Sequence, residues 1–265
     1  MRQLRQPRLA EIIAASLRDD ILTGKLKEGD SLPRQEDLFT QFRVSLPAVR
    51  EAMRILETEG LVEVRRGNVG GAVVHLPTAE RTAQMIAMVL QTRAATPGDV
   101  SGALSYIEPI CARLCADRMD RATEVTPALR AAIEVQQAEF EDVSRYNANA
   151  RAFHEAVVAR CGSETMILVI GALEAIWSAH ESAVWEEAAD EPPAAMRADV
   201  RRTALRDHEK LLAAIEEGDG NRAAALAAAH LAATRRSTLD SGRPSARAVI
   251  NANLVGGIDL ARRQP

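Results

Sequence analysis

The chain has 265 residues, enough for two domains, and its composition of 47% hydrophobic and 3% aromatic residues is globular and favours helices over sheets. It contains no run of about 18 apolar residues and no signal-peptide pattern, so we expect no membrane span and a cytoplasmic location. The formal net charge of −4 argues against a protein that coats nucleic acid without specificity, although a local basic surface remains compatible with it.

The first part of the chain has the pattern of three helices. Apolar residues recur at helical spacing from Leu9 to Ile21, and Gly24 ends this first helix. A turn-rich connection leads to a short second helix over about residues 34–41, and a three-residue turn separates that helix from a longer one. A helix, a short turn and a longer helix are the arrangement of a helix-turn-helix.

The third helix, over residues 45–60, has the features of a DNA recognition helix. Ser45 is a favourable N-cap, and Gly60 can end the helix in a left-handed conformation. Four apolar residues at helical spacing predict its buried face: Val49, Ala52, Met53 and Leu56. Arg50 and Arg54 lie off this face, one turn apart, where they can meet phosphates and base edges. Taken alone, the pattern also fits an ordinary amphipathic helix with two solvated arginines.

Two short β-rich segments, residues 61–64 and 72–74, follow this helix. The sequence RRGNVGG between them is typical of a hairpin tip and begins with Arg65, Arg66, Gly67 and Asn68. Arginine charge and glycine's lack of a side chain suit a backbone that approaches DNA closely. Directly behind a helix-turn-helix, the hairpin predicts a DNA-contacting wing rather than a solvated turn.

Residues 8–76 resemble the DNA-binding domain of the GntR superfamily through the motifs GKLKEGDSLP and VSLPAVREAMRILETEGLVEV. The resemblance implies a homodimer that binds a palindromic operator in double-stranded DNA, with its recognition helices in major grooves roughly 34 Å apart. The family often has arginine where this chain has Glu36 and Leu46, so we expect a different operator, read by Arg34, Arg50 and the wing. The residues predicted to contact DNA are Arg34, Ser45, Arg50, Arg54, Arg65, Arg66, Gly67 and Asn68.

The fold class predicted is mainly α, with a winged helix-turn-helix over residues 1–78 and a helical domain over residues 79–240. Short connections place successive helices antiparallel, so we expect an all-α bundle of six or seven helices. Asp99 is predicted to cap one of them. Residues 241–265 are predicted to form a flexible tail, within which ARAVINANLVGGIDLA can form a docking segment.

The three cysteines, Cys111, Cys115 and Cys161, fit neither a disulfide framework nor a zinc-finger spacing. Cys111 and Cys115 lie one helical turn apart on an apolar face. We therefore predict buried, reduced thiols.

Three histidines, each on a different predicted helix, face the interior of the bundle: His154, His208 and His230. Each has apolar residues one turn away on the same helix face. A single inward histidine is usually a packed core residue, but three in a chain with 5 histidines favour a binding site. Converging neutral imidazoles suit Zn²⁺, Ni²⁺ or a similar divalent transition metal.

This domain resembles the FCD effector domain of the FadR subgroup through the sequences YIEP, AFH, DHE and AHL at residues 106–109, 152–154, 207–209 and 229–231. The resemblance implies a metal held by an aspartate or asparagine and three histidines, which match His154, His208 and His230. The acidic position is Ala150 here, so we expect a three-histidine site completed by water or by the effector. A metal-free pocket is the alternative. His180 is a candidate effector contact, with core packing as its other role.

The sequence thus predicts a transcriptional regulator whose operator affinity is changed by a small-molecule effector, an organic acid or an acyl ligand, in the helical domain. Two other functions remain open at this point. Three histidines with an open metal position also describe a metal-dependent hydrolytic enzyme, although no general base stands at a suggestive spacing. The third hypothesis is a DNA-binding dimer whose helical bundle is metal-free or inert.

Overall fold

The computed structural model describes residues 9–65, 71–186, 197–239 and 248–256. It divides the chain into two compact units, Met1–Thr78 and Ala79–Pro265. None of the helices formed by these residues is both long enough and apolar enough to cross a membrane.

The first unit contains three helices followed by a β-hairpin. Its elements are α1 (Leu9–Leu22), α2 (Gln35–Phe42), α3 (Leu46–Glu59), β1 (Val62–Arg65) and β2 (Gly71–Val74). The two strands pair antiparallel, with Val62 opposite Val74. Helices α1 and α2 both pack on α3, whose four predicted core residues are 0–4% exposed. This arrangement confirms the winged helix-turn-helix.

The second unit is a helical bundle, as predicted. Its elements are α4 (Ala79–Thr92), α5 (Pro97–Asp117), α6 (Arg121–Glu124), α7 (Thr126–Ala138), α8 (Val143–Ala159), α9 (Glu164–Glu186), α10 (Ala198–Glu217), α11 (Gly220–Leu239) and α12 (Ala252–Gly256). Helix α5 is central, because it packs against α8, α9, α10 and α11. The core around it includes the fully buried Phe153, Cys111 and Cys115.

The prediction that Asp99 caps a helix is wrong. Helix α5 begins at Pro97, and the hydroxyl of Thr96 accepts a hydrogen bond from the Asp99 N–H at 3.2 Å. Proline's fixed φ suits a first helical position, so it starts the helix two residues before Asp99.

Residues 248–256, which fall within the predicted flexible tail, instead pack on the bundle as the docking alternative describes. Helix α12 contacts α4 and α9, and Ile250 is fully buried. The Ile250 N–H donates to the carbonyl of Ala95 at 2.9 Å, and the Ala252 N–H donates to Oε1 of Gln91 at 3.0 Å. The rest of the predicted tail lies outside the described residues.

Candidate functional sites

The helix-turn-helix presents its predicted DNA-contacting residues to solvent. Arg34 is the residue before α2, and Ser45 is the N-cap of α3; both are exposed. The Ser45 hydroxyl makes no capping hydrogen bond, which leaves it available to a DNA phosphate. Arg50 and Arg54 are exposed on α3, opposite its buried stripe.

Within the described part of this unit, each recognition-helix arginine has one weak polar contact. Nε of Arg50 lies 3.4 Å from Oε1 of Gln35 on α2, and Nη1 of Arg54 lies 3.4 Å from a carboxylate oxygen of Glu51. Contacts of this length between exposed side chains contribute little to stability, so both guanidinium groups can move to a ligand at small cost.

The wing is described only at its base. Arg65 ends β1 opposite Gly71 of β2, which fixes where the hairpin tip leaves the sheet. The other residues predicted for the tip, Arg66, Gly67 and Asn68, lie outside the described residues.

The three inward histidines meet in the second unit. His154 of α8, His208 of α10 and His230 of α11 each offer a ring nitrogen within 4.8 Å of the other two. Nε2 of His208 lies 3.2 Å from Nε2 of His230. Two imidazole nitrogens bound to one tetrahedral Zn²⁺ at about 2.0–2.1 Å would lie roughly 3.3 Å apart, so this spacing fits a shared transition metal.

The opposite ring nitrogen of each histidine faces an oxygen atom. Nδ1 of His154 lies 2.6 Å from Oε1 of Glu108, and Nδ1 of His208 lies 2.9 Å from Oε1 of Gln136. Nδ1 of His230 lies 3.8 Å from a carboxylate oxygen of Asp207. An Nδ1–H that donates outward leaves the Nε2 lone pair for a metal, which is the tautomer that metal-binding histidines adopt.

Burial and mutual repulsion set the charge of this cluster. Burial lowers the pKa of His208 well below its usual range, and the neighbouring histidines add to that shift. Burial also lowers the pKa of His230. For His154, burial pulls the pKa down, but the Glu108 carboxylate outweighs it and the net shift is upward. The two rings that stay neutral near pH 7 are ready to act as ligands without losing a proton first.

A cavity of about 470 Å³ opens beside the histidine cluster, a size suited to a small molecule. All three histidines line it, and so does Ala150, the position where the resemblance implies an acidic ligand. The methyl group of Ala150 cannot ligate a metal. Asn147, a turn earlier on α8, also lines the cavity and offers an amide.

The structure places His180 in the packed core, the second of the two roles considered for it. His180 is 5% exposed, and its Nδ1–H donates to the carbonyl of Ile176 at 2.8 Å. Its Nε2 accepts a hydrogen bond from the Asn251 N–H at 2.8 Å. Both ring nitrogens therefore have hydrogen-bond partners: Nδ1 is bonded to the preceding turn of α9, and Nε2 holds the C-terminal segment, which is a structural role within the core.

Four residues of this site were missed from the sequence: Glu108, Gln136, Glu174 and Asp207. Glu108 and Asp207 stand within the motifs YIEP and DHE, so those motifs were the available signal. Gln136 and Glu174 stand in ordinary amphipathic helices and carry no local signal.

Comparisons with known proteins agree with this division into two units. The family described as "Bacterial regulatory proteins, gntR family" matches residues 9–73, and the family described as "FCD domain" matches residues 99–233, about half of the chain.

Similar individual proteins are regulators by name. The HTH-type transcriptional regulator Mce2R of Mycobacterium tuberculosis is 44% identical over 59 residues, which are 22% of this chain and 25% of that protein. The HTH-type transcriptional repressor NanR of Klebsiella aerogenes is 30% identical over 100 residues, 38% of each chain. The match thus spans well under half the length of these relatives. The solved structure of Streptococcus agalactiae GntR has a TM-score of 0.65 at 19% identity, covers 86% of this chain and 99% of that chain, and shows a shared fold.

Proposed function

This chain belongs to the FCD-domain family, and its residues 9–73 match the GntR family of bacterial regulatory proteins; we propose that it is a DNA-binding transcriptional regulator that acts as a ligand-responsive homodimer. In this proposal the two winged units bind the halves of a palindromic operator. A small molecule bound in the helical unit changes the operator affinity. A coupling free energy of about 1–3 kcal/mol is enough, since it changes affinity about five- to 150-fold.

The observation that carries the ligand-binding part is the convergence of three histidines in the wall of a cavity. Their ring nitrogens lie within 4.8 Å of one another, and the cavity beside them is large enough for an organic acid or an acyl ligand. His154, His208 and His230 would hold a divalent transition metal such as Zn²⁺ or Ni²⁺. When bound, that ion would supply a positive charge and an open coordination position to an oxygen of the effector. Glu108, Gln136 and Asp207 orient the three rings.

The experiment that tests this proposal measures metal and DNA binding on the same purified, untagged protein. We expect about one transition metal per chain by mass spectrometry, and its loss in His208→Ala. The matched control is His75→Ala, because His75 is a partly exposed histidine of the winged unit that interacts with Glu28. A protein that takes up no metal from zinc or nickel solutions would contradict the metal site and favour a metal-free pocket.

The DNA-binding half is tested by footprinting on the promoter region of the chain's own gene. We expect one protected, palindromic site occupied by a dimer, and release of that site when an effector binds. A single protected half-site, or protection by monomers, would contradict the dimeric mode of binding.

The hydrolytic alternative is not retained. The family is one of regulators, and the relatives bear the names of a transcriptional regulator and a repressor. In addition, the Glu108 carboxylate is held by His154 at 2.6 Å, so it already has a structural partner and does not serve as a free general base.

A further inference from the structure

Arg201 is a buried arginine without an anionic partner among the residues that the structure describes. It is 6% exposed, and its Nε has no hydrogen-bond partner among the described residues. No described carboxylate forms an ion pair with its guanidinium group. A buried charge is costly unless it is paired, so an arginine in this state is poised for an anion that comes from outside the protein.

Two aromatic rings hold the Arg201 side chain in place. Its guanidinium carbon lies 4.9 Å from the centre of the Phe140 ring and 5.7 Å from the centre of the Tyr146 ring. The Tyr146 hydroxyl donates to the carbonyl oxygen of Arg201 at 2.6 Å, which also fixes the backbone. The rings partly offset the cost of burying the charge and limit the positions of the guanidinium group. A preorganised arginine of this kind binds a carboxylate or phosphate with two parallel hydrogen bonds.

Arg201 lines the same cavity as the histidine cluster. It stands seven residues before His208 on α10, which is two helical turns on the same face of the helix. The two Cα atoms are therefore separated by on the order of 10 Å along the helix axis. The cavity thus has two separate positions for negative charge, one near the histidine cluster and one near Arg201.

The other arginines that line the cavity are either paired with a carboxylate or exposed, whereas Arg201 is neither. Arg151 is paired with Glu181 at 3.5 Å, and Asp207 is paired with Lys210 at 3.0 Å. Arg202 and Arg206, the next arginines on α10, line the cavity as exposed residues. Exposed arginines around a cavity raise the local concentration of anions, which favours entry of an acidic ligand.

A second unpartnered group stands in the wall of the same cavity. Glu174 is 7% exposed, and its Oε1 has no hydrogen-bond partner among the described residues. Burial, with added repulsion from Glu108 and Glu155, raises the pKa of Glu174 well above its usual range. A protonated carboxyl group donates a hydrogen bond, so this wall suits a ligand with a hydroxyl, carbonyl or second carboxylate oxygen.

We propose that the effector is an elongated dianion, with one anionic group at the three-histidine end of the cavity and a second one, a carboxylate or a phosphate, paired with Arg201. This inference rests on the proposed function, because it places the first anionic group at the proposed metal. It goes further in selecting a doubly charged organic acid over a monocarboxylate or an acyl chain.

The test is a calorimetric titration of the metal-loaded protein with straight-chain dicarboxylates from succinate to suberate. Monocarboxylates with the same number of carbon atoms are titrated in parallel, and ω-phosphonocarboxylates serve as the phosphate-type arm. We expect the best dianion to bind at least tenfold tighter than its monocarboxylate, with an optimum at one chain length. Equal affinities across the two series, or no binding of either, would overturn the proposal.

Arg201→Met separates a ligand-binding role from a structural one. We expect this variant to lose the preference for dianions, to keep its metal content and to have an unliganded melting temperature no lower than that of the wild type. Because the substitution removes an unpaired buried charge, we expect no fall in the melting temperature. The matched control is Arg202→Met, which removes an exposed neighbouring charge and should keep the preference for dianions. A lower melting temperature together with a retained preference would show that Arg201 is only structural.

Arg201→Lys covers the case in which Arg201→Met does not fold. It keeps a positive charge but loses the two-pronged geometry, so its preference for dianions should be smaller than that of the wild type and still present. An unchanged preference would contradict the role of Arg201. Failure of the proposed function is detected separately, by measuring the metal content and the operator footprint of the unliganded wild type. Neither measurement depends on binding of the titrated carboxylates.

Discussion

Oε1 of Glu108 lies 2.6 Å from Nδ1 of His154, so a carboxylate of α5 orients a ring of α8. Glu108 is 3% exposed, and a buried carboxylate that accepts such a hydrogen bond makes the imidazole a stronger ligand. The hydrogen bond also holds the ring in one tautomer, with Nε2 free for a metal.

Glu108→Gln should therefore weaken metal binding by about 10- to 100-fold, since the amide keeps the shape of the side chain but loses its charge. The measurement is a competition titration with a chromophoric chelator. Glu155→Gln is the matched control, because Glu155 is an exposed glutamate on α8 that lines the same cavity. Equal losses in the two variants would mean that only the total charge around the cavity matters.

Ala150→Asp should strengthen metal binding, because it places a carboxylate four residues before His154, on the same face of α8 and in the wall of the cavity. The affinity is measured with the same chelator competition. Ala148→Asp is the control, since Ala148 is an exposed residue of α8. If Ala150→Asp binds metal no better than Ala148→Asp, the histidine cluster does not leave room for a fourth protein ligand.

Arg50→Ala should weaken binding to the operator far more than binding to random DNA, because Arg50 is exposed on the recognition helix and is predicted to contact a base. A lost arginine–guanine pair costs about 1–3 kcal/mol of discrimination. Arg50→Lys keeps the charge without the paired donors, and it should recover nonspecific affinity but not specificity. Equal losses on both DNAs in Arg50→Ala would identify Arg50 as a phosphate contact.

The buried thiols should make the protein less stable at alkaline pH. Burial, with a contribution from Cys161, raises the pKa of Cys115 to about 12, whereas a cysteine in an unfolded chain has a pKa of about 8.5. Above that lower value the unfolded chain releases the proton and the folded protein does not, so the free energy of unfolding falls as pH rises through this range.

Two measurements check the thiol prediction. Urea unfolding between pH 7 and 10 should show the loss of stability, and Cys115→Ala should show a smaller loss over the same range. At pH 8 iodoacetamide should modify the native thiols slowly and the denatured ones fast. Rapid modification of the native protein would mean that the core around Cys115 opens readily.

The sequence was sufficient for the features that depend on local periodicity. The stripe from Val49 to Leu56 and the inward positions of His208 and His230 follow from the 3.6-residue repeat, and the structure confirms the burial of these residues. The start of α5 was misplaced because Asp99 and Thr96 are both good caps, and the proline at position 97 decided between them.

The features that the sequence did not reveal depend on contacts between distant residues. His208 meets Gln136 across 72 residues of chain, and His154 meets Glu108 across 46 residues. Such partners carry no spacing signal, because their distance depends on how whole helices pack. Arg201 was missed for the same reason, since only the packed bundle shows that it lacks a partner.

Because α12 docks on the bundle next to His180, the folded unit extends beyond the residues that match the FCD family. The FCD match ends at residue 233, yet Ile250 fills a closed site in the core and Asn251 satisfies a histidine ring. A protein shortened to the recognised boundaries would leave a hole at Ile250 and an unsatisfied buried nitrogen on His180. Fused or shortened versions of this protein should therefore extend to about residue 256, some twenty residues beyond the end of the FCD match.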